Sequence, residues 1–109
     1  MPRSEAHADV FLAIADTNRR RLLDLLADKE QSVGALVAGS GISYSLTSQH
    51  LSVLRKAGLV EHRSEGRQRF YRLDGRPLRT VHDWTTRYQT FWGQRLKRLR
   101  AHVEQPEAK

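Results

Sequence analysis

Between Ser32 and Leu73 the spacing of the apolar residues changes once, and that change restricts what the chain can fold into more than any other feature. Up to Ala57 the apolar positions recur at helical spacing, and from Leu59 they alternate. Ser32 is placed to cap a helix over Val33 to Ala38 that turns Val33, Leu36 and Val37 inward, and Gly39-Ser40-Gly41 ends it. Ser43 has the properties of a second cap, and Tyr44 to Ala57 contains no Gly or Pro. In that second helix Thr47, Leu51 and Leu54 share one stripe with His50 at its edge. The opposite stripe of Ser45, Ser48, Gln49, Ser52 and Lys56 is small or hydrogen-bonding and carries no acid, so it can approach a polyanion. Gly58 suits a left-handed C-cap. Beyond it Val60 and His62, a Ser64-Glu65-Gly66 turn, and Phe70 and Tyr71 predict a hairpin made basic by Arg63, Arg67, Arg69 and Arg72. A short helix, a tight turn, a longer acid-free helix and a basic hairpin together predict a helix-turn-helix with a wing, and duplex DNA as its partner.

The flanks predict the rest of a mainly α architecture with one small β-hairpin. Residues 5–30 hold N-terminal helices, 32–57 the helix-turn-helix, 59–73 the wing and 77–104 a last helix, all within a single domain spanning 1–109. Asp9 to Ala15 (DVFLAIA) is apolar on almost every side, which in a helix means burial against more than one neighbour. Asp16-Thr17-Asn18 interrupts it, with Thr17 or Asn18 as the expected cap of a helix whose apolar face is Leu22, Leu23, Leu25 and Leu26. Arg19, Arg20 and Arg21 fill its opening turn, the unfavourable end of the helix dipole for a cation. They are read as a solvated face, with phosphate contact as the alternative.

Pro77 opens the last helix, which carries Leu78, Val81, Trp84, Thr85, Tyr88, Phe91, Trp92, Leu96, Leu99 and Val103. At ~1.5 Å per residue an unbroken helix over 77–104 is about 40 Å long, more than the preceding body can cover. Its aromatic stripe therefore calls for a second surface. The expectation is a homodimer in which Val10, Phe11 and Ile14 of the first helix meet Trp84, Tyr88, Phe91, Trp92 and Leu99 of the last; folding back onto the chain's own core is the alternative.

Composition excludes several classes. The chain of 109 residues has no cysteine, which removes disulfides and thiolate metal ligands. No segment has the apolar length of a membrane span, and MPRSEAHADVF lacks the pattern of a secretory signal, so a cytoplasmic location is expected. A net charge of +7 suits a phosphate-bearing partner, but by itself fits other acidic partners as well. No nucleophile elbow, metal-ligand pair or phosphate loop is present, and no enzyme is expected.

The segments ADTNRRRLLDLLAD (15 to 28), SVGALVAGSGIS (32 to 43) and SLTSQHLSVLRKAGLVEHRSEGRQRFYRLD (45 to 74), followed by the aromatic last helix, resemble the ArsR (arsenic repressor) family of bacterial winged-helix regulators over nearly the whole chain. Two departures, Ser40 where the family usually has an apolar residue and Gly39 beside it, suggest a less stable end to the third helix. The resemblance also locates metal sites to look for. Where a Cys-x-Cys would start the third helix the chain has Ser-Val-Gly, and His82 is preceded two positions earlier by Thr80 with no matching His pair following. A member without metal or cofactor is implied. His50 matches the family's Gln-His pair and takes a packing or phosphate role. Related folds form the dimerisation half of some methyltransferases, but with Lys109 last no catalytic half is expected.

The resulting expectation is a dimeric, sequence-specific regulator, in the sense of a repressor at an imperfect inverted repeat. Ser45, Ser48 and Gln49 would face base edges, with Tyr44, Thr47, His50 and Ser52 beside them, while Arg63, Arg67 and Arg69 hold the backbone or enter an A·T-rich minor groove. A protein-interaction or non-specific DNA-coating module, and a sensor with an unusual His/carboxylate site using His82 or His102 with Asp83 or Glu104, are the alternatives. Sequence does not name the effector.

Overall fold

The computed structural model describes residues 10–104. Its elements are α1 (Thr17–Leu26), β1 (Gln31–Ser32), α2 (Val33–Ser40), α3 (Tyr44–Lys56), β2 (Val60–Glu65), β3 (Gln68–Leu73), α4 (Leu78–Thr86) and α5 (Gln89–Glu104), preceded by one helical turn at 10–13. The core lies where α1, α2 and α3 meet the sheet. Leu22, Leu26, Leu36, Leu51, Leu54 and Leu59 are wholly enclosed there with Val10 and Ala13 from the N-terminal turn. Each such leucine contributes roughly 1.5–3 kcal/mol by leaving water.

The N-terminal helix ends at Ala13, before Ile14 and Ala15 of the DVFLAIA pattern, and Asp9 lies outside the described residues. The residue that caps α1 is Asp16, not Thr17 or Asn18: its extended backbone lets the carboxylate accept from the amides of Asn18 at 2.8 Å and Arg19 at 3.1 Å. Those bonds, that from Arg19 foremost, hold the Asp16 carboxyl below the usual range. Stopping the preceding turn leaves its carbonyls open, and the arginines close them. Arg19 Nε donates to Ala13 O at 2.7 Å, Arg19 Nη2 to Leu12 O at 3.0 Å and Arg20 Nη1 to Ile14 O at 2.7 Å. Arg21 Nη1 does the same for Ser40 O, at the end of α2, at 3.2 Å. Arg20 and Arg21 are exposed, as the solvated-face reading has them, and Arg19 is half-buried; that reading leaves out only the carbonyl partners of these three cations. They sit at the opening of their own helix but at the carboxyl end of a neighbouring one, where the dipole favours positive charge.

The end of α2 expected at Ala38 is also corrected. The helix continues through Gly39 to a buried Ser40, whose Oγ accepts from Ile42 N at 3.2 Å, before Gly41 takes the left-handed φ of 74°. A Cβ at Gly39 would stand 3.4 Å from the Leu25 side chain, so the missing side chain fits the close approach of α2 to α1.

The sheet has three antiparallel strands in the order β1-β3-β2, one more than the hairpin the sequence announces. Two residues suffice for β1: Gln31 pairs with Tyr71 and Ser32 with Phe70 before the chain enters α2. In the hairpin Ser64 pairs with Arg69 and Glu65 with Gln68, so the turn is Gly66-Arg67, not Ser64-Glu65-Gly66. Gly66 supplies its positive φ of 64°.

The single helix expected over 77–104 is instead two. Pro77 precedes α4 as expected, but the helix stops at Thr86, and α5 begins at Gln89. The hydroxyls of Thr85 and Thr86 both donate to His82 O, at 2.9 and 2.8 Å, and the amides of Arg87 and Tyr88 bond back only three residues, to Trp84 O and Thr85 O. Two adjacent threonines bonding back to one carbonyl tighten the turn and interrupt the α pattern.

Candidate nucleic-acid interface

The orientation of α3 follows from its buried stripe. Ser43 Oγ accepts from Leu46 N at 3.1 Å to start the helix, and Thr47, Leu51 and Leu54 sink into the core. Ser45, Ser48, Gln49, Ser52 and Lys56 are thereby all exposed on the far side. Arg55 and Lys56 in the last turn complement the helix dipole.

The register of β3 places Arg69 and Tyr71 on the face of the sheet toward α3, and sends Phe70 and Arg72 to the outer face with Arg63 and Glu61. Between α3 and the wing lies a concave groove of about 540 Å³ whose lining includes Tyr44, Ser48, Ser52, Arg55, Arg67 and Arg69. No carboxylate lines it, and none makes an ion pair with Arg55, Arg67 or Arg69 among the described residues. The outer face is the reverse, with its cations already matched. Arg63 forks onto Glu30 at 2.8 and 2.9 Å, reaches Glu65 at 2.9 Å and lies 4.8 Å above the Phe70 ring, while Arg72 pairs with Glu61 at 2.8 Å. The bonds to Glu30 and then Glu65 hold the Arg63 guanidinium charged well beyond its ordinary range. Below the wing, Arg76 holds the Asp74 carboxyl down at about 2.

Of the residues expected at DNA, the structure thus gathers Tyr44, Ser48, Ser52, Arg67 and Arg69 around one groove, with Ser45 and Gln49 on the adjoining exposed face. Three others do not join them. Thr47 is fully buried, because it belongs to the stripe that seats the helix. His50 is half-buried and turned toward Arg19, whose Nη1 is 3.3 Å from its Nδ1. Arg63 lies on the opposite sheet face, committed to Glu30 and Glu65. Arg55 was missed, although Ser48, Ser52 and Arg55 stand at helical spacing and lengthen the same stripe.

His62 pairs with Tyr71 across the hairpin. Its Nδ1 is buried with no hydrogen-bond partner, and its ring lies 5.3 Å from that of Tyr71. Burial lowers its pKa, and the nearby Arg55 and Arg69 lower it further. Among the described residues no group of three or more His, Cys, Asp or Glu is placed to hold a metal ion; His82 has only Asp83, at 3.5 Å.

A second surface is apolar. Phe11 meets Trp84 edge to face with ring centroids 5.7 Å apart, and Trp84, Tyr88 and Phe91 continue the contact along α4 into α5. Trp84, Tyr88, Phe91, Trp92 and Leu99 are all exposed, Phe91 at 73%. Ile14 is half-buried at the edge of the core. Val10 departs from expectation: at 1% exposure it is part of the chain's own core and cannot face a partner. Leu12, 65% exposed, lies on the uncovered side of the same turn, a distinction the all-round apolar pattern of DVFLAIA does not make. Leu96 and Val103 extend the surface along α5. No helix among the described residues is long and apolar enough to cross a membrane.

Comparison with known proteins agrees with this geometry. The family model described as "Bacterial regulatory protein, arsR family" matches residues 16–62. The chain is 39% identical to the transcriptional activator HlyU of Vibrio cholerae over 82 residues, covering 74% of this chain and 76% of HlyU. It is 32% identical to the transcriptional repressor SdpR of Bacillus subtilis over 76 residues, covering 70% and 84%. The match spans 30% of the transcriptional regulator Rv0324 of Mycobacterium tuberculosis, to which the chain is 40% identical over 62% of its own length. Among solved structures, the homodimeric winged helix-turn-helix DNA-binding domain Mb0332 of Mycobacterium bovis superposes with a TM-score of 0.65 at 30% identity, covering 82% of this chain and 84% of that one.

Proposed function

The chain belongs to the arsR family of bacterial regulatory proteins, DNA-binding transcriptional regulators and not enzymes, and on that basis we propose that it acts as a homodimer that reads an imperfect inverted repeat and represses by occluding the promoter. The observation that carries this reading is the acid-free groove between α3 and the wing, where hydroxyls, an amide and arginines without ion-pair partners among the described residues converge. Ser45, Ser48 and Gln49 meet base edges in the major groove, where a glutamine amide can pair twice with adenine. Tyr44, Ser52, Arg55, Arg67 and Arg69 hold the flanking phosphates, with the Gly66-Arg67 turn free to enter a narrow minor groove.

Dimerisation is supported by the exposed aromatic ladder of α4 and α5 and by the homodimeric state of Mb0332. Leu12, Phe11, Trp84, Tyr88, Phe91, Trp92 and Leu99 supply the apolar seam, and two α3 helices then address half-sites roughly 34–36 Å apart. Relatives include both an activator and a repressor by name, so the sign of regulation is tested separately from DNA binding. Control through a metal is not part of the proposal. Footprinting on promoter fragments, combined with sedimentation, tests it: a discrete symmetric footprint and a dimer at micromolar concentration are expected. Continuous protection would indicate a coating module, and a persistent monomer would remove the inverted-repeat reading. A reporter gene behind the protected site then gives the sign.

A further inference from the structure

Arg19 spends its guanidinium on two segments at once. Nε and Nη2 donate to Ala13 O at 2.7 Å and Leu12 O at 3.0 Å in the N-terminal turn, and Nη1 lies 3.3 Å from His50 Nδ1 on α3. The turn it grips carries Phe11, which is packed on Trp84 of the apolar ladder, and Leu12, which is exposed beside it. The imidazole it meets stands next to Gln49, on the helix that faces the groove. A guanidinium has only donors, so the Arg19–His50 contact is a hydrogen bond only if Nδ1 is the acceptor and the imidazole proton is on Nε2.

We propose that Arg19 is a positioning residue: by bonding Leu12 O, Ala13 O and His50 Nδ1 together, it fixes the Nε2–H tautomer of His50 and ties the setting of α3 to the N-terminal turn beneath the apolar seam. This rests on the reading of α3 as the DNA-recognition helix. Lysine cannot replace it, because one ammonium lacks the planar fork that reaches both carbonyls and the ring. Glutamine can replace His50, because its amide offers an acceptor and a donor in similar places.

The test has one arm without DNA and one with it. Nitrogen-15 NMR of the free wild-type protein is expected to show His50 as the Nε2–H tautomer, and Arg19→Lys is expected to shift it to a mixture. On the footprinted site, Arg19→Lys and His50→Leu should each weaken binding about ten-fold, the double variant should be no weaker than either, and His50→Gln should restore most of the loss. Dimerisation by sedimentation should be unchanged in all of them. An Nδ1–H tautomer in the wild type, or ring signals indifferent to Arg19→Lys, would overturn the contact. Additive losses in the double variant, or failure of His50→Gln to rescue, would overturn the positioning role. If the wild type shows the expected tautomer but protects no DNA site, the DNA reading fails and the role with it, while the contact itself stands.

Discussion

Replacing Thr47 by valine should make this protein more stable without weakening its grip on DNA. Thr47 has no exposed surface, and its Oγ1 is enclosed with no hydrogen-bond partner. An unsatisfied buried hydroxyl costs about 1–3 kcal/mol. Valine removes that cost, keeps the side chain β-branched, and puts a methyl group where the hydroxyl stood. The two residues have nearly equal helix propensity, so the backbone contributes little to the difference. A net gain of about 1–2 kcal/mol is expected, raising Tm by roughly 4–8 °C per kcal/mol for a domain of this size. Thermal and urea unfolding at one fixed protein concentration measure it, since association shifts apparent stability. Fluorescence anisotropy on the footprinted site provides the second readout, with no change expected. A lower Tm would mean that Oγ1 has a partner such as an enclosed water. A selective loss of specific DNA binding at unchanged stability would return Thr47 to the interface.

Gln49→Ala should cost about 1–3 kcal/mol on the specific site and little on random duplex; equal weakening on both would show that Gln49 does not read bases. Arg67→Ala should weaken all duplexes and reduce the salt slope by about one unit per protomer, whereas Arg63→Ala, which breaks only outer-face pairs, should leave that slope unchanged. His62 has a lowered pKa, so the unfolded chain takes up its proton first: stability should be at its full value above about pH 6.5 and decline as pH falls below it, and His62→Gln should flatten that decline in pH-resolved melts. DNA affinity should be the same with chelator as with stoichiometric zinc or nickel, and a saturable change lost in His82→Ala would refute the metal-independent reading.

The helix-turn-helix and wing were legible because their signals are local. Ser43 before Tyr44, Gly41 and Gly58 after their helices, and the switch to alternation at Leu59 each report on a few neighbouring residues. What the sequence concealed depends on partners distant along the chain. Nothing near Arg19, Arg20 or Arg21 says that carbonyls of other segments await them. Arg63 and Arg69 look alike in a string of basic residues, and only the pleat separates them onto opposite faces, one of them opposite Glu30. Gln31-Ser32 is too short to show alternation, so β1 could not be seen. Val10 and Leu12 differ only in which side of one helical turn they occupy, and the partly overlapping apolar pattern around them does not say which. In the last helix the periodicity runs through Thr85-Thr86 uninterrupted, since the break arises from hydroxyls, which hydrophobic spacing does not register.

The uncovered ladder along α4 and α5 also has a quantitative consequence in the cell. On the proposed dimer, in which a second copy covers Trp84, Phe91, Trp92 and Leu99, the protein would reach its promoter as a pair, and at low abundance the active species would grow with the square of the amount synthesised. Dilution at cell division then lowers occupancy more steeply than it lowers the protein itself. An aromatic seam of that kind would make a promoter under this regulator respond to dosage more steeply than in proportion.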